Sequence, residues 1–347
     1  MRNSMKALVK FAAEPGNMEI RDVEEPKVKP GYVKIEIKAT GICGSDIHIL
    51  HSDIAIPVRP PVITGHEFSG IVVETGEGVS SCKVGDRVTS ETAYEYCNRC
   101  ENCKNGRYNL CNHRKTLGYW YNGAFTKYTL VPQDRIHLLA DSISFEEAAL
   151  LEPLACVCHA AIDLVRIKPT DVVLVTGPGP IGLMTLQVVK ALGAKVIVSG
   201  TNADVARFKK AEEYGADFII NVQQNNLLEE IQKITGEKGV DIVFECSGAP
   251  AATRTGIEAV KKYGQFVQVG LAGAPFEFDF ARICYKEIKV TGSLGSIWSS
   301  WDYAIRMVEN KQVKLKDLVS DIFPLEKWEE AFKKFENKEG LKILIQN

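Results

Sequence analysis

Val172-Val173-Leu174-Val175-Thr176-Gly177-Pro178-Gly179-Pro180-Ile181-Gly182 is the stretch on which the fold turns. Its first five residues are a continuous apolar, β-branched run, which suits a strand buried on both faces of a parallel sheet. The run enters glycines spaced G-x-G-x-x-G, and Leu183, Leu186, Val189 and Leu192 then recur at helical spacing until Gly193 stops the helix. Glycines alone carry little meaning, but a strand before them and a helix after them form the context of a dinucleotide-binding loop. Gly177 permits the tight turn, Gly179 admits a pyrophosphate to the backbone, and Gly182 lets helix pack on strand, with Pro178, Pro180 and Ile181 completing the loop. Backbone N–H groups at the helix start meet the phosphate charge.

Downstream the alternation continues. Strands are expected at Lys195–Ser199, Asp217–Ile220, Asp241–Phe244 and Gln265–Val269, and helices at about 205–214, 227–235 and 251–262. Such a series predicts a doubly wound parallel sheet. The acid that usually holds the ribose 2′-hydroxyl about 20 residues past the glycines is missing, because Gly200 stands there, followed by Thr201 and Asn202. Thr201, Asn202 and Arg207 offer donors and charge to a 2′-phosphate, which tips the expectation slightly to NADP. The alternative is NAD with Asp204 as the substitute acid.

Upstream the texture is that of a small β-rich unit. Ala7–Phe11, Tyr32–Ile37 and Gly70–Glu74 read as strands, Val84–Val88 as a turn entering another, and Pro26, Pro30 and Gly31 punctuate the turns. Its polar residues of interest are Cys43, the pair His66-Glu67 and Glu152. Thiolate, imidazole and carboxylate are the donors that Zn²⁺ takes, and a catalytic zinc keeps one position open.

Residues 91–114 cannot build a core, being polar and nearly devoid of aliphatic side chains. Four of the ten cysteines fall here, at Cys97, Cys100, Cys103 and Cys111. This spacing suits an all-thiolate structural zinc that folds the lobe by binding. Iron–sulfur proteins also use four cysteines, with different gaps, and burial as free thiols needs a core that the lobe lacks.

The 347 residues suffice for two domains, and 45% hydrophobic with 25% charged residues is ordinary for a globular protein. A net charge of −2 gives no electrostatic case for nucleic acid or anionic membrane. No apolar run approaches the ~20 residues of a membrane span, and the start, Met1 to Phe11, has too short an apolar core for a signal peptide. A cytoplasmic protein is expected.

The run Gly65-His66-Glu67-x2-Gly70-x5-Gly76-x2-Val79 resembles the zinc signature of medium-chain alcohol dehydrogenases. Gly41-Ile42-Cys43-Gly44-Ser45-Asp46-Ile47-His48, the cysteine lobe and the nucleotide loop match in the same order. The likeness covers nearly the whole chain. It implies an α/β architecture: a GroES-like β-rich catalytic domain, 1–157 with 291–347 and carrying the zinc lobe 91–114, around an inserted Rossmann domain, 158–290. It also implies an active site in the cleft between the two domains. The segment Leu151-Glu152-Pro153-Leu154 is similar to the polyol (sorbitol-type) branch, where Glu replaces the Cys of other branches.

By this resemblance Cys43, His66, Glu67 and Glu152 belong to the catalytic zinc. Glu67 is a direct ligand, an alternate ligand or a support, and Glu152 is a ligand or the holder of a zinc-bound water. Ser45 and His48 relay the substrate proton to solvent. The expected reaction moves a hydride between a secondary alcohol, of the polyol or sugar-alcohol class, and NAD(P). L-Threonine dehydrogenase is the nearest competitor, and a non-enzymatic nicotinamide sensor would lack the ligands that this chain retains. A homodimer or homotetramer is expected from family habit. The Arg-Tyr pair that polyol dehydrogenases carry near the substrate has no counterpart in Gly292–Trp301, where Trp298 and Trp301 line a pocket or belong to a core or subunit interface.

Overall fold

A computed structural model describes residues 4–347; Met1, Arg2 and Asn3, part of the start read above for a signal, lie outside the described residues. Chain contacts divide the chain into two compact units. One runs to Pro153 and takes up again at Leu315–Asn347, and the other is Leu154–Lys314.

The first unit opens with strands β1 (Ser4–Lys10), β2 (Met18–Glu24) and β3 (Tyr32–Gly41), followed by helix α1 (Gly44–His51). Its larger sheet adds β4 (Glu67–Thr75), β5 (Arg87–Ser90), β6 (Tyr128–Pro132) and β7 (Ile136–Leu138). β3 is its pivot, antiparallel to both β4 and β6, with Gly41 opposite Glu67. That register carries the chain from Gly41 toward Cys43 on one side and from His66 into Glu67 on the other. Val33, Ile35, Ile37, Phe68, Val72 and Val88 fill one core beneath the sheet. The alternating side chains of β3 decide which face is buried.

Helix α2 (Leu151–Cys158) leads into the second unit. The expected alternation follows as β8 (Val172–Thr176), α3 (Pro180–Ala191), β9 (Lys195–Gly200), α4 (Val205–Glu213), β10 (Phe218–Asn221), α5 (Leu227–Thr235), β11 (Val240–Glu245), α6 (Pro250–Ala259), β12 (Val260–Gln268) and β13 (Lys289–Gly292). All pairings in this sheet are parallel, in the spatial order β10-β9-β8-β11-β12-β13. The order reverses at β8, the strand that opens into the glycine loop, which is where open parallel sheets receive ligands. Helix α6 stops at Ala259, short of the expected Lys262, because Val260 already pairs with Val240.

The second unit extends well past residue 290, where the sequence reading ended it. β13 completes the parallel sheet, and helix α7 (Trp298–Glu309) is tied to residues 159–163 by the Ser299 and Ser300 hydroxyls, which donate to Asp163. Lys314 N–H donates to the side chain of Gln187 at 2.7 Å. Trp301 is fully buried, its indole N–H on Ser296 Oγ, and so is a core residue of this unit; Trp298 is half exposed. The chain then returns to the first sheet through β14 (Val319–Pro324), α8 (Trp328–Glu336) and β15 (Lys342–Gln346), and β15 pairs with the end of β3. Among the described residues no helix is long and apolar enough to cross a membrane.

Candidate active site and metal centres

Cys43 ends the segment after β3 and is the residue from which α1 starts. Asp46 Oδ2 accepts the Cys43 N–H at 2.9 Å, so the helix start fixes the thiol. His66 lies immediately before β4, and Glu67 is its first residue. One donor atom from each of Cys43, His66 and Glu67 falls within 4.8 Å of the others. Gly41, across from Glu67, has no room for a side chain: a Cβ there would stand 2.3 Å from Glu67 Oε2.

The environment of these atoms fits a cation. Glu67 Oε1 is buried without a hydrogen-bond partner, while Oε2 is engaged by the buried ammonium of Lys342. Asp46 is fully buried, and its Oδ1 lies 3.6 Å from His66 Nδ1, close enough for charge contact but too long for a hydrogen bond. The other ring nitrogen, Nε2, faces Ser45 Oγ at 3.4 Å. Burial lowers the basicity of His66, yet Asp46, Cys43 and Glu152 outweigh it and raise the imidazole to about 10. A histidine drawn to the cationic form marks a pocket with more anions than cations, Lys342 alone opposing Cys43, Asp46, Glu67 and Glu152. A divalent ion would offset most of that excess.

Glu152 is buried on α2 and acts electrostatically on His66, Tyr119 and Lys342, but it is not among the three residues whose donor atoms converge. Ser45 stands beside His66, and His48, one turn further along α1, presents Nδ1 to Asp53 Oδ1 at 2.9 Å.

In the lobe the four cysteines are free thiols with sulfurs mutually within 4.8 Å. Cys100 and Cys103 Sγ are 3.4 Å apart, and Cys97 and Cys103 Sγ 3.9 Å. These separations far exceed a disulfide bond, and they bracket the ~3.8 Å edge of a tetrahedron with zinc–sulfur bonds of about 2.3 Å. Backbone N–H groups of Cys97, Cys100 and His113 point at the sulfurs at 3.4–3.5 Å, as thiolates require. Tyr108 anchors the lobe to the sheet by donating to buried Glu91 at 2.6 Å, beside Arg135 and His137.

In the second unit Gly177 is left-handed at φ 83°, and a Cβ on Gly182 would meet Gly177 O at 2.0 Å. Gly179 has open space around it. Pro180 and Ile181 begin α3 with no side-chain cap, so the first N–H groups of the helix face the loop. Asp204 occupies the ground beyond Gly200: it accepts from Thr201 N–H and Oγ1 at 3.0 and 2.9 Å and pairs with Arg207 at 3.3 Å. Asn202 Oδ1 accepts from Asn221 and Gln224.

Three residues of the first unit carry weight that the motifs did not assign. Asp46 lies inside the Cys43 motif without a role of its own. Tyr119, buried, has its ring 5.6 Å from that of His66, and nothing in its sequence neighbourhood announces this. Lys342 had one faint signal, a lysine at the head of the apolar run Ile343-Leu344-Ile345.

Comparison with known proteins bears on the family of the chain. The model of the alcohol dehydrogenase GroES-like domain matches residues 29–141, and that of the zinc-binding dehydrogenase matches residues 180–310. The chain is 43% identical over 342 residues to a sorbitol dehydrogenase from Halalkalibacterium halodurans, covering 98% of this chain and 99% of that one. It is 39% identical to a D-arabitol-phosphate dehydrogenase from Enterococcus avium, over 100% and 99% of the two chains. The structure of a zinc-binding dehydrogenase from Sinorhizobium meliloti, bound to NADP, superposes with a TM-score of 0.89 at 30% identity, covering 100% of both chains. With zinc donors and a nicotinamide-nucleotide loop both in place, this chain belongs to the zinc-dependent medium-chain alcohol and polyol dehydrogenases.

Proposed function

We propose that the protein oxidises a secondary alcohol of a polyol or sugar alcohol to the ketone, with zinc held by Cys43 and His66. The observation that carries this is the convergence of Cys43, His66 and Glu67 beside the Ser45 hydroxyl. Bound there, zinc would supply a Lewis acid for the substrate oxygen and the nicotinamide an acceptor for the carbinol hydride. Glu67, tied to Lys342 through one oxygen and with the other unpartnered, would serve the metal as an alternate ligand, and Glu152 would be a further ligand or hold its water. The substrate proton passes to Ser45 Oγ and leaves through the exposed imidazole of His48. Cys97, Cys100, Cys103 and Cys111 hold a second, structural zinc.

NADP is the proposed cofactor, supported by Gly200 in the acid's place and by Arg207 nearby. Asp204 opposes it. A homodimer or homotetramer is part of the same reading. β13 closes the parallel sheet with one edge unpaired among the described residues, and Phe280, Tyr285 and Val290 around it are exposed. Ten free thiols suit a reducing cytoplasm.

The test is turnover of a panel of polyols, polyol phosphates, sugars and amino alcohols with NAD and with NADP. Ketone formation from a polyol is expected. Turnover of L-threonine alone would replace this reading with the threonine dehydrogenase one.

A further inference from the structure

His48 is tethered on one side only. Its Nδ1 meets Asp53 Oδ1 at 2.9 Å, and the carboxylate belongs to the turn that ends α1. That turn is closed by backbone bonds: Ser52 sits in the left-handed region at φ 58°, its N–H donates to Ile49 O, and Asp53 N–H donates to His48 O at 3.1 Å. Asp53 is thus folded back over the residue whose carbonyl it binds.

A buried cation holds the same turn from below. Lys10, at the end of β1 and 2% exposed, donates through Nζ to Ser52 Oγ at 2.9 Å, Glu14 O at 2.7 Å and Leu50 O at 3.4 Å. Leu50 O also accepts from Gly16 N–H. A lysine is seldom buried so fully unless its three donors are used. Two of them are spent here on the C-terminal end of α1, at Leu50 O and Ser52 Oγ, where a helix favours positive charge, and the third on Glu14 O.

A carboxylate is an acceptor only, so the proton of this contact sits on Nδ1. The nitrogen that keeps its lone pair is then Nε2, since the hydrogen bond at one ring nitrogen sets the state of the other. We propose that Asp53, locked by the Lys10–Ser52 turn, is a positioning residue that holds His48 as the Nδ1–H tautomer with Nε2 ready to accept the relayed proton. This rests on the relay role given to His48 above. In the step itself the Ser45 side delivers a proton to Nε2, the ring becomes the imidazolium paired with Asp53, and Nε2 then releases the proton to solvent. The other titratable groups here are His51 on the same helix, its partner Glu336 on α8 at 2.6 Å, and Lys10. His51 bonds Glu336, and of the two histidines His48 is the one that hydrogen-bonds Asp53 and acts on it most.

The decisive measurement is the long-range ¹H–¹⁵N spectrum of histidine-labelled, zinc-loaded protein. His48 is expected as the Nδ1–H tautomer, shifting to the Nε2–H or mixed form in Asp53→Ala while staying Nδ1–H in Asp53→Asn, whose oxygen still accepts. An Nε2–H form in the unaltered protein, or no change in Asp53→Ala, would overturn the proposal. Kinetics separate this from the relay itself. Asp53→Ala is expected to lower kcat/KM roughly tenfold, the low end of what losing a histidine-orienting carboxylate costs, and to add nothing in a His48→Ala background. If His48→Ala leaves turnover unchanged, the relay reading fails whichever tautomer the spectrum shows. A further loss from Asp53→Ala in that background would mean that Asp53 acts elsewhere, and the positioning role would fall.

Discussion

Glu67 and Lys342 stand 275 residues apart in sequence and meet as a buried ion pair beside Cys43. Lys342 also donates to Ile42 O at 2.9 Å, so the last strand of the chain holds both the carboxylate and the backbone that leads to the thiol. Removing one partner of a buried pair costs about 3–5 kcal/mol, because the other charge is left uncompensated. Lys342→Met is therefore expected to destabilise the zinc-stripped protein by that order. In the zinc-loaded protein the loss is expected to be smaller, since the metal still gives Glu67 a cation to face. Urea unfolding of both forms checks this, and equal losses would show that Glu67 does not turn to the metal.

The elevated His66 sets a pH dependence whose sign follows from its direction. Burial opposes the charged ring, but Asp46, Cys43 and Glu152 prevail and carry it from 6.5 to about 10. A raised value means that the folded, metal-free state binds the proton more tightly than the unfolded one. The resulting stability is fully present below about 6.5 and is lost as pH rises through about 10. Zinc needs the neutral ring, so the loaded protein should lack this loss. Melting temperatures of stripped and loaded protein between pH 6 and 10 should therefore diverge with rising pH. Parallel curves would remove His66 from the metal site.

Replacing a ligand and replacing the carboxylate behind it should differ in degree. Cys43→Ser or His66→Ala is expected to abolish turnover. Asp46→Asn keeps the start of α1 but removes the charge facing His66 Nδ1, and is expected to weaken zinc binding by roughly 10–100-fold. Zinc titration against a chelator of known affinity measures it. An unchanged affinity would leave Asp46 with the helix start alone.

How much of this was legible in the sequence depended on how local each signal was. The parallel sheet could be read because each strand and helix writes its own period, and the glycine loop because its residues are adjacent. Cys97 to Cys111 could be read for the same reason. The end of the second unit was misplaced because β13 and α7 join it through tertiary pairing, Gln268 opposite Gly292 and Ser300 on Asp163, which no local period records. Lys342 and Tyr119 share that fate: their partners lie far away in the chain, and only the register of β15 and β3 brings Lys342 to Glu67.

The lobe offers a separation of stability from chemistry. Cys103→Ser is expected to reduce zinc from two ions per chain to one, since two groups of donors exist, and to expose residues 97–111 to proteolysis. Turnover per remaining folded chain should change little, because Tyr108, Glu91 and Arg135 still hold the lobe's base to the sheet. Metal analysis and limited proteolysis check this. A variant that keeps both ions and full protease resistance would remove the structural-zinc assignment.

Cofactor choice turns on Asp204. Its carboxylate takes both donors of Thr201 and pairs with Arg207, so the groups suited to a 2′-phosphate are engaged by an acid that would repel it. Asp204→Ala removes the repulsion and releases Thr201 and Arg207 together. The ratio of kcat/KM with NADP to that with NAD is expected to rise by roughly tenfold, the equivalent of about 1.4 kcal/mol. Arg207→Ala is expected to lower the same ratio, since the guanidinium is then gone while Asp204 remains. Gly200→Asp is not an equivalent route to NAD, because its Cβ would stand 2.9 Å from both Phe208 and Pro178 and disturb the loop itself. If neither Asp204→Ala nor Arg207→Ala moves the ratio, the 2′-position is read elsewhere in the second unit, and the NADP proposal loses its basis.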